Sequence, residues 1–391
     1  MSAGHDYIPF AIPDITEAEV DAVAETVRSG WLTTGPNTAA FEREFAEYLG
    51  ADGLHAVAVN SATAGLHLAV EALGLGPGDE VLVPTWTFTA TAEIVRYVGA
   101  TPVFVDVLPD TLNIDLDAAA KLVTPQTKAM IPVHFAGVPI EAAALQEFAA
   151  THGIDIVEDA AHAFPVQEAG RFVGDSASRA VVFSFYATKT IATGEGGMLV
   201  TRDAGLAQRA RTMRLHGISR DVFDRYSSRK PSWQYEVVAP GFKYNMTDVA
   251  AAMGRVQLSR AEEMRLNRQA IAKRYHADLA GLPLELPACV EDPTGHAHHL
   301  FVVRTTQDSP LDRDHLIEQL AERGVSTSVH FIPLHLHPYW RETYELQPED
   351  FPVATDVFQR AFSLPLFSTM TEAQISQVIA ALRDLLGADA V

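Results

Sequence analysis

Cysteine and long apolar runs are what this sequence lacks. It contains one cysteine in 391 residues, Cys289, which excludes an intramolecular disulfide and a cysteine zinc cluster. No apolar run approaches the roughly 20 residues that a membrane-spanning helix needs. The first ten residues also lack the charged and then apolar pattern of a secretory leader. We therefore expect a cytoplasmic protein with no membrane partner.

Basic residues are also scarce. Lysine and arginine number 29 against 50 acidic residues, and the formal net charge is −21. Such a surface repels nucleic acid phosphates and anionic membranes, so we expect no nucleic acid partner. A local basic pocket could still receive an anionic small molecule. The remaining composition is that of an ordinary globular enzyme, of a length typical of two or three domains.

Short apolar runs alternate with helical segments along the first half of the chain. This alternation predicts an α/β fold with a parallel or mostly parallel sheet. The predicted strands are 57–60, 81–84, 102–105, 129–133, 154–157 and 180–183.

The second half predicts a smaller α/β domain. A long helix over 250–280 leads into it, and we place the boundary inside that helix, giving a large domain 1–254 and a small domain 255–391. The small domain is predicted to contain a strand at 300–304, a helix at 311–323, a strand at 326–331 and a final helix at 371–386.

The richest stretch chemically is 154–197. One strand ends in Asp159, with His162 just beyond it, and the next ends in Ser184, with Lys189 five residues on. Since ligands of such sheets sit at the carboxyl ends of the strands, we expect Asp159, Ser184 and Lys189 to face one crevice. Pyridoxal phosphate needs a lysine for its Schiff base, an acid for its pyridine nitrogen and donors for its phosphate.

Each of these residues has an ordinary alternative role when it is considered alone. A lysine after a strand is usually a solvated loop residue, and Asp159 could cap the following helix. The small residues at 61–65 open a helix whose free N–H groups suit a phosphate, although Ser and Thr are also common caps there. The combination favours the cofactor.

Three motifs now carry a resemblance to a known family. EDAAHA at 158–163, FSFYATK at 183–189 and GEGG at 194–197 resemble those of the DegT/DnrJ-type sugar aminotransferases. The resemblance runs from GWLTTGP at 30–36 to SLPLF at 363–367. It implies the aspartate aminotransferase fold, also called the PLP-dependent transferase fold type I: a large domain with a mostly parallel seven-stranded sheet flanked by helices, plus a smaller C-terminal α/β domain.

The resemblance also implies the reaction and its partners. We expect a pyridoxal phosphate enzyme that moves the amino group of L-glutamate to a nucleotide-linked keto-sugar, working as a homodimer with shared active sites. Lys189 would bind the cofactor and move the proton, Asp159 would keep the pyridine nitrogen protonated, and His162 would bond near the ring oxygen, where many relatives have glutamine.

Further site residues follow from the same resemblance. Thr63, Ala64 and Ser184 would hold the phosphate. Phe88 would stack on the cofactor ring, with Trp86 as the second candidate. An asparagine of the partner subunit reaches the phosphate in relatives; here that place holds Lys243, and the asparagine is Asn245, so which of the two makes this contact is open.

Four residues are expected on the substrate side of the pocket, namely Thr33, Thr34, His330 and Tyr339. The GxKYN pattern at 241–245 is similar to that of enzymes that aminate C4 of a UDP-linked keto-pentose. C3 amination, a dTDP-sugar and a cyclitol ketone all remain open.

Two other functions stay as alternatives. Some relatives are sugar dehydratases with histidine at the lysine position, which Lys189 argues against, and early family members suggested a regulatory cofactor-binding protein. We expect no metal. His296, His298 and His299 form a dense group, but no carboxylate or cysteine shares their spacing and a predicted strand follows.

Overall fold

A computed structural model describes residues 7–50, 52–218, 235–288, 292 and 294–387 of the chain. In this part of the chain, a seven-stranded sheet lies at the centre, in the order β1-β9-β8-β5-β4-β2-β3. Strand β9 runs antiparallel to both β1 and β8, and the other neighbours are parallel. Its strands are β1 His55–Val59, β2 Glu80–Pro84, β3 Thr101–Val105, β4 Thr127–Met130, β5 Asp155–Asp159, β8 Ala180–Ser184 and β9 Gly197–Thr201. The expected mostly parallel sheet is confirmed.

Two smaller sheets complete the strands of the described residues. A ribbon of β6 (Gln167–Glu168) and β7 (Arg171–Phe172) follows β5, and an antiparallel sheet contains β10 (Leu284–Glu285), β11 (Phe301–Thr305) and β12 (Ala361–Leu364).

Helices flank both principal sheets. They are α1 Glu17–Ser29, α2 Pro36–Tyr48, α3 Ala62–Ala72, α4 Ala90–Tyr97, α5 Leu116–Leu122, α6 Ala142–His152, α7 Ala204–Met213, α8 Asp248–Ser259, α9 Ala261–Asp278, α10 Arg313–Glu322, α11 Pro338–Tyr344, α12 Pro352–Arg360 and α13 Glu372–Leu386. Short 3-10 turns occupy Phe135–Gly137, Leu334–Leu336 and Pro348–Asp350. Among the described helices, none combines the length and apolarity needed to cross a membrane.

Local chemistry explains why these elements begin where they do. Thr16 and Glu19 form a capping box that starts α1, and Ser61 caps α3 by accepting the N–H of Ala64. The central strands are buried over almost their whole length, as near-continuous apolar runs of a covered parallel sheet are. Each such strand delivers its polar residue at the carboxyl end.

Two secondary-structure predictions are wrong. The helix predicted over 250–280 is two helices, because Arg260 leaves helical geometry at φ −106° and ψ 0° and its guanidinium bonds Asp14 and Glu19. The predicted strand at 326–331 is not a strand. Its pairing is divided between two partners, since Ser326 N–H donates to Ile8 O and Ser328 exchanges bonds with Ser363.

The small sheet has a hydrophobic core of its own. Helices α9, α10 and α13 pack on it through side chains such as Tyr275, Leu320 and Leu382, all fully buried. Other residues of the second half, among them Trp340, belong to the core of the large sheet. The domain boundary at 254/255 stays a prediction.

Candidate active site

A cavity of about 630 Å³ lies at the carboxyl ends of the central strands. The end of β5, the end of β8, the start of α3 and the segment around His330 all contribute to its wall. It brings together most of the residues that the sequence pointed to. They are Thr63, Phe88, Asp159, His162, Ser184, Lys189 and His330.

Asp159 is buried with both carboxylate oxygens bonded. Oδ2 accepts from Thr91 Oγ1 at 2.9 Å, and Oδ1 accepts from the N–H of Ala161 at 3.1 Å. Burial raises the pKa of Asp159, although these hydrogen bonds and Lys189 act in the opposite direction. A buried carboxylate in this position is best stabilised by a cationic partner.

Lys189 faces the same cavity from the loop after β8. Burial lowers its pKa to about 7; the charge of Asp159 raises it and that of Arg268 lowers it further. A lysine amine that loses its proton near neutral pH is a ready nucleophile and base.

His162 is a neutral imidazole with a defined tautomer. Burial lowers its pKa well below the ordinary value. Its Nδ1 accepts the N–H of Ala136 at 3.3 Å, so we assign the ring hydrogen to Nε2. The ring also stacks on Phe331, with centroids 5.9 Å apart. His162 can therefore donate one hydrogen bond from a fixed ring.

The start of α3 forms the anion-binding end of the cavity. The N–H groups of Ala62 and Thr63 lie in the first turn, where a helix leaves its amides without intrahelical partners. Strand β9 packs tightly against this turn, since a Cβ on Gly197 would lie 2.8 Å from Ala62 N. Ser184 adds a hydroxyl from the end of β8. Ala64 lies in the same turn, but its N–H is taken by Ser61 Oγ.

The aromatic wall is formed by Phe88. Its side chain is 60% exposed and approaches Phe331, whereas Trp86 is fully buried against Phe135. The structure therefore favours Phe88 over Trp86 as the ring that could stack on a cofactor.

Four expected residues, Thr33, Thr34, Lys243 and Asn245, lie together outside this cavity. Thr34 Oγ1 accepts from Asn245 Nδ2 at 2.7 Å and donates to Met246 O, and Lys243 Nζ donates to Asn245 Oδ1. Thr33, next to Thr34, is exposed. These residues form a polar group that does not line the cavity of the same chain.

Tyr339 also lies outside. Its ring is 56% exposed in a neighbouring cleft of about 480 Å³, which adjoins the main cavity through Phe88 and Phe331.

Two residues of the site were missed. His299 places Nε2 3.3 Å from Lys189 Nζ, and Thr91 bonds Asp159. His299 was singled out only as one of three histidines, of which His296 and His298 instead stack on each other. The position of His299 next to a predicted strand is a signal that could have identified it. No local pattern in the sequence marks Thr91.

The donor set fits pyridoxal phosphate. Asp159 suits a protonated ring nitrogen, the first turn of α3 with Ser184 suits the phosphate, and His162 suits the ring oxygen. The same cavity presents a buried lysine amine at its centre. No feature of these residues conflicts with that group.

Comparison with known proteins defines the class. Spr1654 of Streptococcus pneumoniae, a sugar aminotransferase solved in its PMP form, has a TM-score of 0.90 and 33% identity over 97% of this chain and 98% of that chain. Helicobacter pylori PseC, an aminotransferase of pseudoaminic acid biosynthesis, has a TM-score of 0.88 and 26% identity over 97% and 99%. The fold is that of the pyridoxal phosphate-dependent aminotransferases.

The family follows from sequence as well. The model of the DegT/DnrJ/EryC1/StrS aminotransferase family matches residues 13–383. The spore coat polysaccharide biosynthesis protein SpsC of Bacillus subtilis is 45% identical over 386 residues, 98% of each chain. This chain belongs to the DegT/DnrJ/EryC1/StrS aminotransferase family. It is an aminotransferase, and its cofactor is pyridoxal phosphate.

Proposed function

We propose that this enzyme transfers the amino group of L-glutamate to the ketone of a nucleotide-diphosphate-linked sugar, at C4 of a UDP- or dTDP-sugar, for amino-sugar biosynthesis in the cytoplasm. The observation that carries the proposal is the cavity in which the Lys189 amine, the Asp159 carboxylate and the first turn of α3 meet. The sugar is supported by relatives named for sugar amination and spore coat polysaccharide biosynthesis. The GxKYN pattern at 241–245 supports C4.

The cofactor supplies the electron sink for the carbanion, and the protein supplies position and proton transfer. Asp159 would keep the pyridine nitrogen protonated. Thr63 and Ser184 would hold the phosphate, and His162 would donate from Nε2 near the ring oxygen. The N–H of Ala64 is bonded to Ser61 Oγ, so Ala64 would contribute only through its place in the first turn of α3. Thr63 and Ala64 act through the start of α3, where the helix dipole favours an anion.

Lys189 Nζ is the base. Its amine would take the proton from the α-carbon of the amino donor and pass it to the C4′ carbon of the cofactor. In the reverse half-reaction it would move a proton from C4′ to the sugar carbon that receives the nitrogen. A lysine whose pKa is about 7 can do both at neutral pH. Phe88 covers one face of the cofactor ring.

Substrate recognition is assigned to two places. His330 lies in the cavity wall, and Tyr339 lines the adjoining cleft, through which a nucleotide could extend beyond the sugar. Thr33 and Thr34 line neither the cavity nor the cleft. We infer a homodimer in which Thr33, Thr34 and Asn245 complete the site of the partner subunit. Asn245 is then the residue that reaches the phosphate, while Lys243 orients it through a 2.6 Å bond.

The test begins with the purified enzyme converted by L-glutamate to its aminated form and freed of excess donor. This form is mixed with UDP- and dTDP-linked 4-keto and 3-keto sugars, and with a cyclitol ketone. Return of the absorbance of the lysine-bound cofactor, together with an aminated product by mass spectrometry, identifies the acceptor. We expect reaction with a 4-keto nucleotide sugar.

Four outcomes oppose parts of the proposal. A deoxygenated product without nitrogen indicates a dehydratase. Reaction with the cyclitol ketone alone contradicts a nucleotide sugar as the amino acceptor. Failure of borohydride reduction to label the peptide that contains Lys189, or full activity of Lys189→Ala, overturns the central assignment.

A further inference from the structure

His299 contacts Lys189 from the segment that leads into β11. Its Nε2 lies 3.3 Å from Lys189 Nζ, and the His299 backbone N–H donates to Ala136 O at 3.1 Å. The two residues are 110 positions apart in the chain. Their contact is therefore made by the packing of the second half of the chain onto the strand ends.

The His299 ring has little freedom to move. It lies against the ring of His162, with centroids 4.4 Å apart, and its side chain is buried. The preceding residue, His298, has a left-handed φ of 48°, and the carbonyl of His298 faces Arg268 Nη1, which also bonds Leu366 O. Backbone and ring are thus held on both sides of the contact with Lys189.

The donors and acceptors of this contact can be assigned. Burial, followed by the charge of Lys189 and by His162, lowers the pKa of His299 well below its ordinary value, so the ring is neutral. A lysine ammonium can only donate. Nε2 must then accept, which places the ring hydrogen on Nδ1. Among the described residues, Nδ1 has no hydrogen-bond partner, so no competing bond fixes the other tautomer.

Several other groups face Lys189. Asp159 and Arg268 act on its charge, and His162 and His330 line the same cavity, as does Glu195. The His299 ring also contacts His162, so the test compares substitutions at residue 299 that keep a hydrogen-bond acceptor with substitutions that remove it.

We propose that His299 is a positioning residue for Lys189: its Nε2 accepts a hydrogen bond from the protonated Nζ and holds the lysine side chain in the cavity when Nζ is not bound to the cofactor. The inference rests on the proposed role of Lys189 as the reactive amine. It adds a residue outside the three sequence motifs to the working part of the site.

The test measures the amine of Lys189 in the cofactor-free protein, so it needs no turnover. The protein is labelled with a trace of acetic anhydride from pH 5 to pH 10. Acetylation of the Lys189 peptide is quantified by mass spectrometry against the exposed Lys128 of the same molecule. The midpoint of the pH profile gives the pKa of Lys189.

His299→Leu removes the acceptor that favours the charged amine, so its midpoint should fall by about half to one pH unit. His299→Gln, which retains an acceptor, should stay near the wild-type midpoint. His296→Gln is the matched control, because this equally buried histidine of the same segment contacts His298 rather than Lys189. His299→Asn, too short to reach Nζ, repeats the leucine test if that variant does not fold.

The inference is overturned if the folded leucine or asparagine variant keeps the wild-type midpoint, or if the glutamine variant shifts as far as leucine. A failure of the proposed function is distinct, because Lys189→Ala would then keep transaminase activity whatever the labelling shows.

Discussion

The backbone N–H of Ala192 donates to Oε1 of Gln257 at 3.1 Å. Ala192 lies in the loop after Lys189, and Gln257 lies on α8 with a fully buried side chain. The Nε2 atom of the same side chain donates to Asp14 O at 2.7 Å and to Glu19 Oε1 at 2.8 Å. One side chain therefore joins the loop that carries the reactive lysine to the N-terminal segment.

We expect Gln257→Leu to lower the free energy of unfolding by about 2–4 kcal/mol, because it leaves the Ala192 N–H and other polar groups buried without partners. Denaturant unfolding measures this loss. Gln208→Leu, at an exposed position of α7, is the control and should change the stability by less than about 0.5 kcal/mol. Equal stability of the two variants would show that the buried amide contributes nothing.

Glu19 should make stability depend on acid pH. Burial opposes its charge, but hydrogen bonds from Thr16, Gln257 and Arg260 lower the pKa of Glu19 to about 2. Because the folded pKa lies below the ordinary value of 4.5, the contribution of the carboxylate is complete above that pH and is lost as the pH falls toward 2.

Accordingly, Glu19→Gln should be less stable than wild type by about 1–3 kcal/mol at pH 7, and the difference should shrink between pH 4.5 and about 2. Thermal unfolding across that range tests the trend. Glu17→Gln, exposed in the same helical turn, should show no such convergence. A difference that is constant with pH would assign the loss to packing.

Thr91 should govern how firmly the cofactor is retained. Its hydroxyl donates to Asp159 Oδ2, and Thr87 Oγ1 lies 2.8 Å from it on the other side. Thr91→Val should raise the pKa of Asp159 further and weaken cofactor binding by roughly 10- to 100-fold, the value of a bond to a charged group. Equilibrium dialysis gives the binding constant. Thr212→Val, whose hydroxyl donates to Gln208 O of the same helix, is the control. Unchanged binding by the Thr91 variant would remove this role.

Hybrid dimers test whether Asn245 acts across the interface. Lys189→Ala should be inactive, and Asn245→Ala should bind cofactor weakly. The two variants are unfolded, mixed and refolded together. If Asn245 serves the partner's site, each hybrid dimer has one site that carries both substitutions and one site that carries neither. Activity should return to roughly a quarter of wild type in a two-fold symmetric dimer.

The same mixture shows no gain over the two separate variants if Asn245 serves its own subunit, because every site then contains one defect. Lys243→Ala replaces Asn245→Ala in a parallel mixture, which asks whether the neighbouring lysine makes the contact instead. Sedimentation of an active monomer would contradict the shared site altogether.

The central sheet and much of the site could be predicted because their signals are local. An apolar run followed by Asp159, or by Ser184 and Lys189, marks both a strand and its carboxyl end. Parallel strands place those ends together. Thr16 and Glu19 likewise mark the start of α1 within four residues of sequence.

The failures arose where a distant contact overrode the local pattern. The helical pattern runs through Arg260, but its ion pairs with Asp14 and Glu19 divide the helix. The segment at 326–331 is predicted as a strand, yet its backbone pairs partly with Ile8 and partly with Ser363.

The sequence by itself determined which chemical groups the site contains and the strand ends that deliver them, because both follow from neighbouring residues. Only the tertiary structure decided that Phe88 rather than Trp86 reaches the cavity, that Asn245 and Thr34 bond each other outside it, and that His299 contacts Lys189. These outcomes depend on how remote segments pack, and hydrophobic burial constrains that packing through the whole core rather than through any single motif.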